Sequence, residues 1–518
     1  MDERAAGRPG GGPRGGAIGS SGTGGGIRGV PAHAERREWL VTNGRGSYAC
    51  GTVAGPPARS YHGLLIAARH PPLGRTLLVS QLVETVTVAG CPQRLDAERI
   101  EDFALEGTVP RWRYRIGAAR LEKRIWMRPG ADTTCVAYRL AGGSGPLRLT
   151  LEVCVQHRSH HGGGERPDFA LEAVARGIRF SERISGDGFV VLGDRGRCRA
   201  LEPPGWCGVD LTIEAERGLA SRQEHLRAAT VEAELTAQDP GLTLVASTDP
   251  AAVPDGEGAL AERRAHERDL LERWRRTRPR GAAPAPAWIG KLVLAADAFV
   301  VERPPGGASL IAGYPWFGDW GRDTMISLAG LTLVTGRVER AERILRTWAG
   351  FLRDGLLPNL FPEDAAAGGP EPPGYNSADA TLWFFQALRE HHRASGRDGL
   401  IRDLFPRLEQ VIDHHLRGTR FGIGVDPADG LLRAGQGQHA LTWMDARPGP
   451  QPITPRHGKP VEVNALWINA LRAMAGFAAA LERDPAPGQA RAARAACGFR
   501  RFWSGERGHC LDVLDGPA

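Results

Sequence analysis

The chain has 518 residues, 42% hydrophobic and 24% charged, which is material for roughly two or three domains with sizeable cores. Its net charge of +7 rests on arginine, since of 66 basic residues only Lys123, Lys291 and Lys459 are lysine; that is a compositional bias, and no nucleic-acid partner is expected. No apolar run reaches the ~18 residues of a membrane span, no charged-then-apolar leader opens the chain, and eight dispersed cysteines without a C-x-x-C spacing argue against a zinc module or disulfide scaffold, so the expected location is the cytoplasm.

Residues 1–35 form a glycine-rich segment whose composition reads as a disordered tail. Residues 36–250 carry period-2 apolar runs, such as Thr76–Val88, Leu147–Val155 and Gly188–Leu192, separated by Gly/Pro turns; this predicts an antiparallel β-sandwich. Residues 251–284 read as a helical linker, and within it Glu262–Arg280 interleaves acids with bases, as a solvated helix does. From 285 to 518 helical periodicity takes over. Helices are predicted at about 286–302, 323–335, 338–354, 377–394, 400–417, 461–482 and 487–503.

The richest chemistry lies in Tyr314-Pro-Trp-Phe-Gly-Asp-Trp-Gly-Arg-Asp323, where a loop is expected to become an apolar helix. Asp323 is placed to cap that helix, and indole faces beside fixed carboxylates suit a sugar, whose C–H faces stack while its hydroxyls bond. A capped core helix with buried aromatics is the plainer reading of this segment alone. Related segments follow: Gly374–Phe385 with Asp379 near a helix start, Leu441–Arg447 with Asp445 two residues after Trp443, and Thr454–Trp467 with Glu462 and Asn464 near a helix start. Together they suggest one site gathered at the same end of a ring of helices.

These residues resemble the C-terminal domain of the glycogen debranching enzymes, the amylo-α-1,6-glucosidase group. The signatures are Trp320–Asp323 (WGRD) before an apolar helix, Tyr375–Asp379 (YNxxD), Thr442–Asp445 (TWMD) and Thr454–Glu462 (TPRxGxxVE). Glu38–Tyr48 and Arg59–Ile66 are similar to the N-terminal domain of the bacterial and archaeal members, so the resemblance spans roughly 36–518. It implies a β-sandwich followed by an (α/α)6 barrel and hydrolysis of α-1,6-linked glucose at branch points of glycogen. No metal and no organic cofactor are implied.

Such hydrolysis with inversion needs a carboxylic acid at the leaving oxygen and a carboxylate that activates water. The resemblance places the acid on Asp445, where partial burial beside Trp443 and Met444 is expected to keep it protonated; a helix cap or an ion pair with Arg447 is the structural alternative. Trp320, Arg322, Asp323, Tyr375, Asn376, Asp379, Trp443, Arg456 and Glu462 are expected to bind substrate. Seven helices fall short of the barrel's twelve, so an incomplete barrel is expected, with the family's water-activating base outside the sequence. An inactive or glucan-binding remnant, or another glucoamylase- or trehalase-like glucosidase, stays open as an alternative.

Three smaller features complete the reading. His157-Arg-Ser-His-His161 has metal-like spacing without an evident carboxylate, so a surface loop is expected. His391–His392 and His414–His415 fall late in predicted helices, where cations favour the dipole. Arg59, Tyr61 and His62 are placed either to reach the site from the first domain or to pair strands.

Overall fold

Alternating apolar residues before residue 250 give two stacked antiparallel sheets. The computed structural model describes residues 26–28, 33–72, 74–143, 146–162, 166–361, 374–446 and 451–516; the tail expected at 1–35 lies outside these, apart from residues 26–28 and 33–35. In strand Leu147–Ser159, Leu147, Leu149, Leu151 and Val153 point into the core, while Arg148, Thr150 and Glu152 face outward. Each such aliphatic chain contributes about 1.5–3 kcal/mol by leaving water.

One sheet has nine strands in the spatial order Gly26–Arg28, Ile100–Glu106, Val109–Ile116, Ala119–Met127, Thr133–Gly142, Gly241–Ser247, Gly188–Gly193, Gly177–Glu182 and Phe169–Val174. The other has eight: Arg197–Asp210, Arg222–Leu235, Leu147–Ser159, Thr76–Val88, Gly63–Ala67, Tyr48–Thr52 and Glu38–Thr42, with Cys91–Arg94 paired to Thr76–Val88. Leu149, Leu151 and Val153 meet Val136, Tyr138, Leu242 and Leu244 between the sheets. Among the described residues of this half, a short helix, α1 (Thr212–Glu216), and a 3-10 turn at Ala97–Arg99 interrupt the strands.

The charged run expected to be solvated is α2 (Gly256–Thr277), capped by Asp255. It docks one face on the sandwich instead. Arg263 is buried and donates to the carbonyls of Thr42 (2.6 Å) and Met127 (2.7 Å), and Glu267 accepts from the Thr108 amide (2.8 Å) and hydroxyl (2.6 Å). Long side chains that satisfy edge carbonyls can be buried on a face that its composition marks as solvated.

Among the described residues seven α-helices follow: α3 (Ala287–Asp297), α4 (Gly321–Leu328), α5 (Val338–Ala349), α6 (Ala380–Ser395), α7 (Gly399–Arg417), α8 (Val461–Ala480) and α9 (Ala486–Phe499). Helix α6 packs against α4, α5 and α8 around one continuous core. The helix predicted over 286–302 ends early, because Val300–Arg303 pairs with Gly307–Gly313, and that strand pairs with Phe317–Asp319. Pro304, Pro305 and Gly306 (φ 71°) make the turn that a helix cannot. So the aromatic segment arrives as a β-hairpin, and Tyr48, Ile66 and Leu77 of the sandwich pack with Val301, Ile311 and Tyr314 along the seam.

Of the paired histidines, His391 and His415 do not serve the helix dipoles as cations, whereas His392 lies in the last turn of α6 with Nε2 2.8 Å from Asp398 Oδ1. His415 is fully enclosed, stacks on Trp467 (5.6 Å between centroids) and lies with Nδ1 2.8 Å from the Val411 carbonyl; burial pushes its pKa down to about 4. His391 is likewise buried and lowered by desolvation. Both are neutral core residues.

Candidate active site

The hairpin strand Phe317–Asp319 hands the chain to α4, with Trp320 at the N-cap position. Asp319 is 1% exposed and is gripped by the buried Arg303, whose Nε donates to Oδ1 (3.0 Å) and Nη2 to Oδ2 (2.5 Å). Arg303 also donates to the Arg45 carbonyl (2.9 Å), so this carboxylate anchors the hairpin to the sandwich. Asp323 sits in the first turn of α4 without capping it by a side-chain hydrogen bond, contrary to the expectation, because Trp320 is three residues nearer the helix start. Its side chain is exposed. Desolvation by the surrounding protein raises its pKa, Arg322 opposes, and the charges of Asp445 and Asp379 add to the rise.

Arg322 joins three separate segments. Its Nε donates to Asp379 Oδ2 (2.8 Å), Nη1 to Asp445 Oδ2 (3.0 Å) and Nη2 to the Thr442 carbonyl (3.0 Å). Burial disfavours the cation, but Asp379 and Asp445 outweigh that and hold its pKa above the ordinary value. Asp379, 2% exposed, stands at the N-cap position of α6; Ser377 accepts from the Ala380 amide (3.1 Å) and donates to Asp379 Oδ1 (2.6 Å), which frees the carboxylate from capping.

A second guanidinium continues the network. Arg456 Nη1 donates to Thr442 Oγ1 (3.2 Å), Nη2 to Glu462 Oε2 (2.7 Å) and to Asp512 Oδ1 (2.7 Å), and Nε to Asp512 Oδ2 (2.9 Å). Its pKa is raised, by the Glu462 bonds first and by Asp512 against burial. Thr442 thus carries one arginine on its carbonyl and the other on its hydroxyl. Asp512 escaped the sequence reading, which gave Thr442 no role beyond opening the Thr442–Asp445 segment; the signal for Asp512 was an arginine in the Thr454–Glu462 segment needing more than one acid.

The other candidates divide. Trp320 is partly exposed and meets Phe317 edge-on at 6.0 Å. Trp443 is 59% exposed, so it does not enclose the half-buried Asp445 as expected; the Thr442–Asp445 segment is a loop. Arg447 lies outside the described residues. Tyr375 turns away from the network into the core, where its hydroxyl donates to the Phe351 carbonyl (2.8 Å) and its ring takes Arg420 (5.2 Å) and Arg353 (6.0 Å). Asn376 is half-buried beside Gly374. Asn464 is scaffold, bonded to both the amide (2.6 Å) and carbonyl (3.0 Å) of Leu432.

The sandwich touches this region. The Arg59 guanidinium lies 5.4 Å over the Trp316 ring, and Tyr61 meets Trp316 edge-on at 6.4 Å, whereas His62 is buried against the Ala58 amide and Glu38. His157 pairs with Asp187 (3.3 Å) and His161 with the Tyr61 hydroxyl (3.1 Å). Among the described residues, the carboxylates close enough to share an ion are Asp426, Asp429 and Asp515, and they already surround the buried Lys459 ammonium at 2.8, 2.8 and 2.7 Å.

Two family models match this chain: "Glycogen debranching enzyme N terminal" over residues 37–240 and "Amylo-alpha-1,6-glucosidase" over residues 294–517. A glycogen debranching enzyme of Saccharomyces cerevisiae is 30% identical over 223 residues, a stretch covering 32% of this chain and 14% of the yeast protein. Among solved structures, a bacterial glucoamylase complexed with acarbose superposes with a TM-score of 0.52 at 11% identity, covering 93% of this chain and 68% of that one, so the two share a fold. A putative kojibiose phosphorylase from the human microbiome matches at 9% identity and a TM-score of 0.44, covering 90% of this chain and 68% of its own. With both family models in order along the chain, one on the sandwich and one on the helices that carry the arginine network, the protein is glycogen debranching enzyme-like and of glycoside hydrolase type.

Proposed function

We propose that this protein hydrolyses α-1,6-linked glucose stubs of glycogen or a related branched α-glucan by an inverting acid/base mechanism, with Asp445 as general acid. The observation that carries the reading is Arg322, which bonds Asp379, Asp445 and the Thr442 carbonyl at once and so ties three of the family's signature segments into one site. With Oδ2 held by Arg322, Oδ1 is the oxygen of Asp445 left to serve the glycosidic oxygen. Inversion requires a second carboxylate ~6.5–9.5 Å from the first, across room for a water. Trp320 and Trp443, partly or largely exposed, supply faces for sugar C–H groups, and Asp323 supplies an acceptor for hydroxyls.

The remainder of the α/α-barrel reading belongs to the same proposal, as does a division into a sandwich unit at 36–250, a linker at 251–284 and a glucosidase unit from 285. Cytoplasmic residence fits eight free thiols, several of them exposed; among the described residues no helix is long and apolar enough to cross a membrane.

The test is glucose release from a phosphorylase limit dextrin. The expected result is release by the native chain and a fall of about 10²–10⁴-fold in Asp445→Asn, the range for losing a general acid. Release that is undiminished in Asp445→Asn would remove this residue from the chemistry, and no release at all would remove the hydrolase reading.

A further inference from the structure

Phe317 is a large apolar side chain left 48% exposed, yet the backbone beneath it is unusually well held. Arg75, buried at the start of the sandwich strand Thr76–Val88, donates from Nη1 to the Pro315 carbonyl (3.1 Å) and from Nη2 to the Phe317 carbonyl (2.8 Å). Two residues later Asp319 is fixed by Arg303. Across the hairpin, Phe317 is in register with Gly313. The ring then meets Trp320 at 86° with centroids 6.0 Å apart, one turn before Arg322 and Asp323.

Isolated exposed apolar residues need no explanation. This one is set at right angles to a partly exposed indole, on a strand clamped at both ends by buried guanidiniums, and beside the proposed site. Two rings at right angles form a corner: a pyranose that lays its C–H face on one ring presents its rim to the other. Holding the corner rigid lowers the ordering cost of binding.

We infer that Phe317 is a glucan-contacting residue that, with Trp320, receives a glucose unit of the α-1,4-linked chain, and that Arg75 of the sandwich is its positioning residue. This rests on the α-glucan reading above and extends it, because it makes the N-terminal unit responsible for part of the affinity without contributing a side chain to the chemistry.

The experiment measures maltoheptaose binding by calorimetry, and KM and kcat for glucose release from limit dextrin, on the full chain. Phe317→Ala is expected to weaken maltoheptaose binding and raise KM by about tenfold, the loss of roughly half a phenylalanine's apolar contact, with kcat and thermal midpoint unchanged. Phe317→Tyr and Phe317→Trp should restore binding to within about twofold, since both keep an aromatic face. Arg75→Lys keeps the charge but not the two-carbonyl grip, and should raise KM about threefold while sparing kcat. Wild-type affinity in Phe317→Ala overturns the inference; an effect of Arg75→Lys on kcat alone overturns the positioning role. Native chain that neither binds maltoheptaose nor releases glucose defeats the α-glucan reading, and the inference with it. Native binding matched by Phe317→Ala defeats the inference alone.

Discussion

Asp319 and Asp323 lie four residues apart in one aromatic segment, each within reach of an arginine, and their surroundings are opposite. Asp319 is enclosed and takes both oxygens' worth of bonds from Arg303, which itself reaches a sandwich carbonyl. Asp323 stands exposed, while the adjacent Arg322 directs its donors to Asp379, Asp445 and Thr442. An ion pair whose partners are both buried belongs to the scaffold at the seam; a carboxylate whose neighbouring cation is engaged elsewhere is left open to solvent, which suits the ligand role proposed for Asp323. The difference lies in what each arginine is bonded to, which the sequence does not spell out.

The sharpest way to break this comparison is to remove one acid from each side. Asp445→Asn, on the site side, is expected to cost about 10²–10⁴ in kcat, or roughly 3–5 kcal/mol of transition-state stabilisation, with a much smaller fall in the urea midpoint, because Asp379 still holds Arg322. Asp319→Ala, on the seam side, leaves Arg303 buried without its partner and is expected to cost about 3–5 kcal/mol of folding stability, read from urea denaturation. The double variant Arg303→Met/Asp319→Leu should recover most of that loss, because a well-packed apolar pair replaces the ion pair. If Asp319→Ala unfolds at the native midpoint, the seam assignment is wrong.

How much of this was legible beforehand follows the same division. Period-2 runs such as Leu147–Val155 located the sandwich, because one buried face imposes alternation. Helical periodicity located α3 to α9, yet it missed the short hairpin from Val300 to Asp319, whose strands are too brief to show a period. Signature segments brought Arg322, Asp379, Asp445, Arg456 and Glu462 forward, and the structure connects them. It could not be read in advance that Tyr375 faces the core, that Asp512 completes the Arg456 pair, or that Trp443 is exposed. Each depends on which neighbour arrives from a distant stretch of chain, and local patterning carries no record of that.

A third prediction tests whether the histidines belong with Asp319, as scaffold. His415 has its pKa depressed to about 4 by burial, against 6.5 when unfolded. Between those values the unfolded chain binds the proton that the native chain refuses. Stability is therefore full above about pH 6.5 and falls as pH drops toward 4, by up to about 3 kcal/mol from this residue. His225, depressed to about 4 by burial in the sandwich, adds a loss of the same sign. The variant His415→Gln should flatten the acid limb of a stability–pH curve measured by urea denaturation. An acid limb as steep as the native one would show that His415 is not neutral in the fold.

The smallest effect is expected at Asp323, and it has the opposite sign. Its pKa is raised from 3.8, by desolvation first and then by Asp445 and Asp379, with Arg322 only partly offsetting them. A carboxyl raised in the folded state favours folding below its unfolded pKa, and that contribution is lost as pH climbs through the higher folded value. At neutral pH the native protein therefore carries Asp323 as a mildly destabilising anion, a cost borne by a group kept for ligands. Asp323→Asn should raise the thermal midpoint at pH 7 and leave it equal to that of the native chain below about pH 3.8. It should also weaken maltoheptaose binding, since an amide accepts sugar hydroxyls less strongly than a carboxylate. An Asp323→Asn chain that is less stable at pH 7 would place this aspartate with Asp319 among the structural anchors, and the contrast between them would collapse.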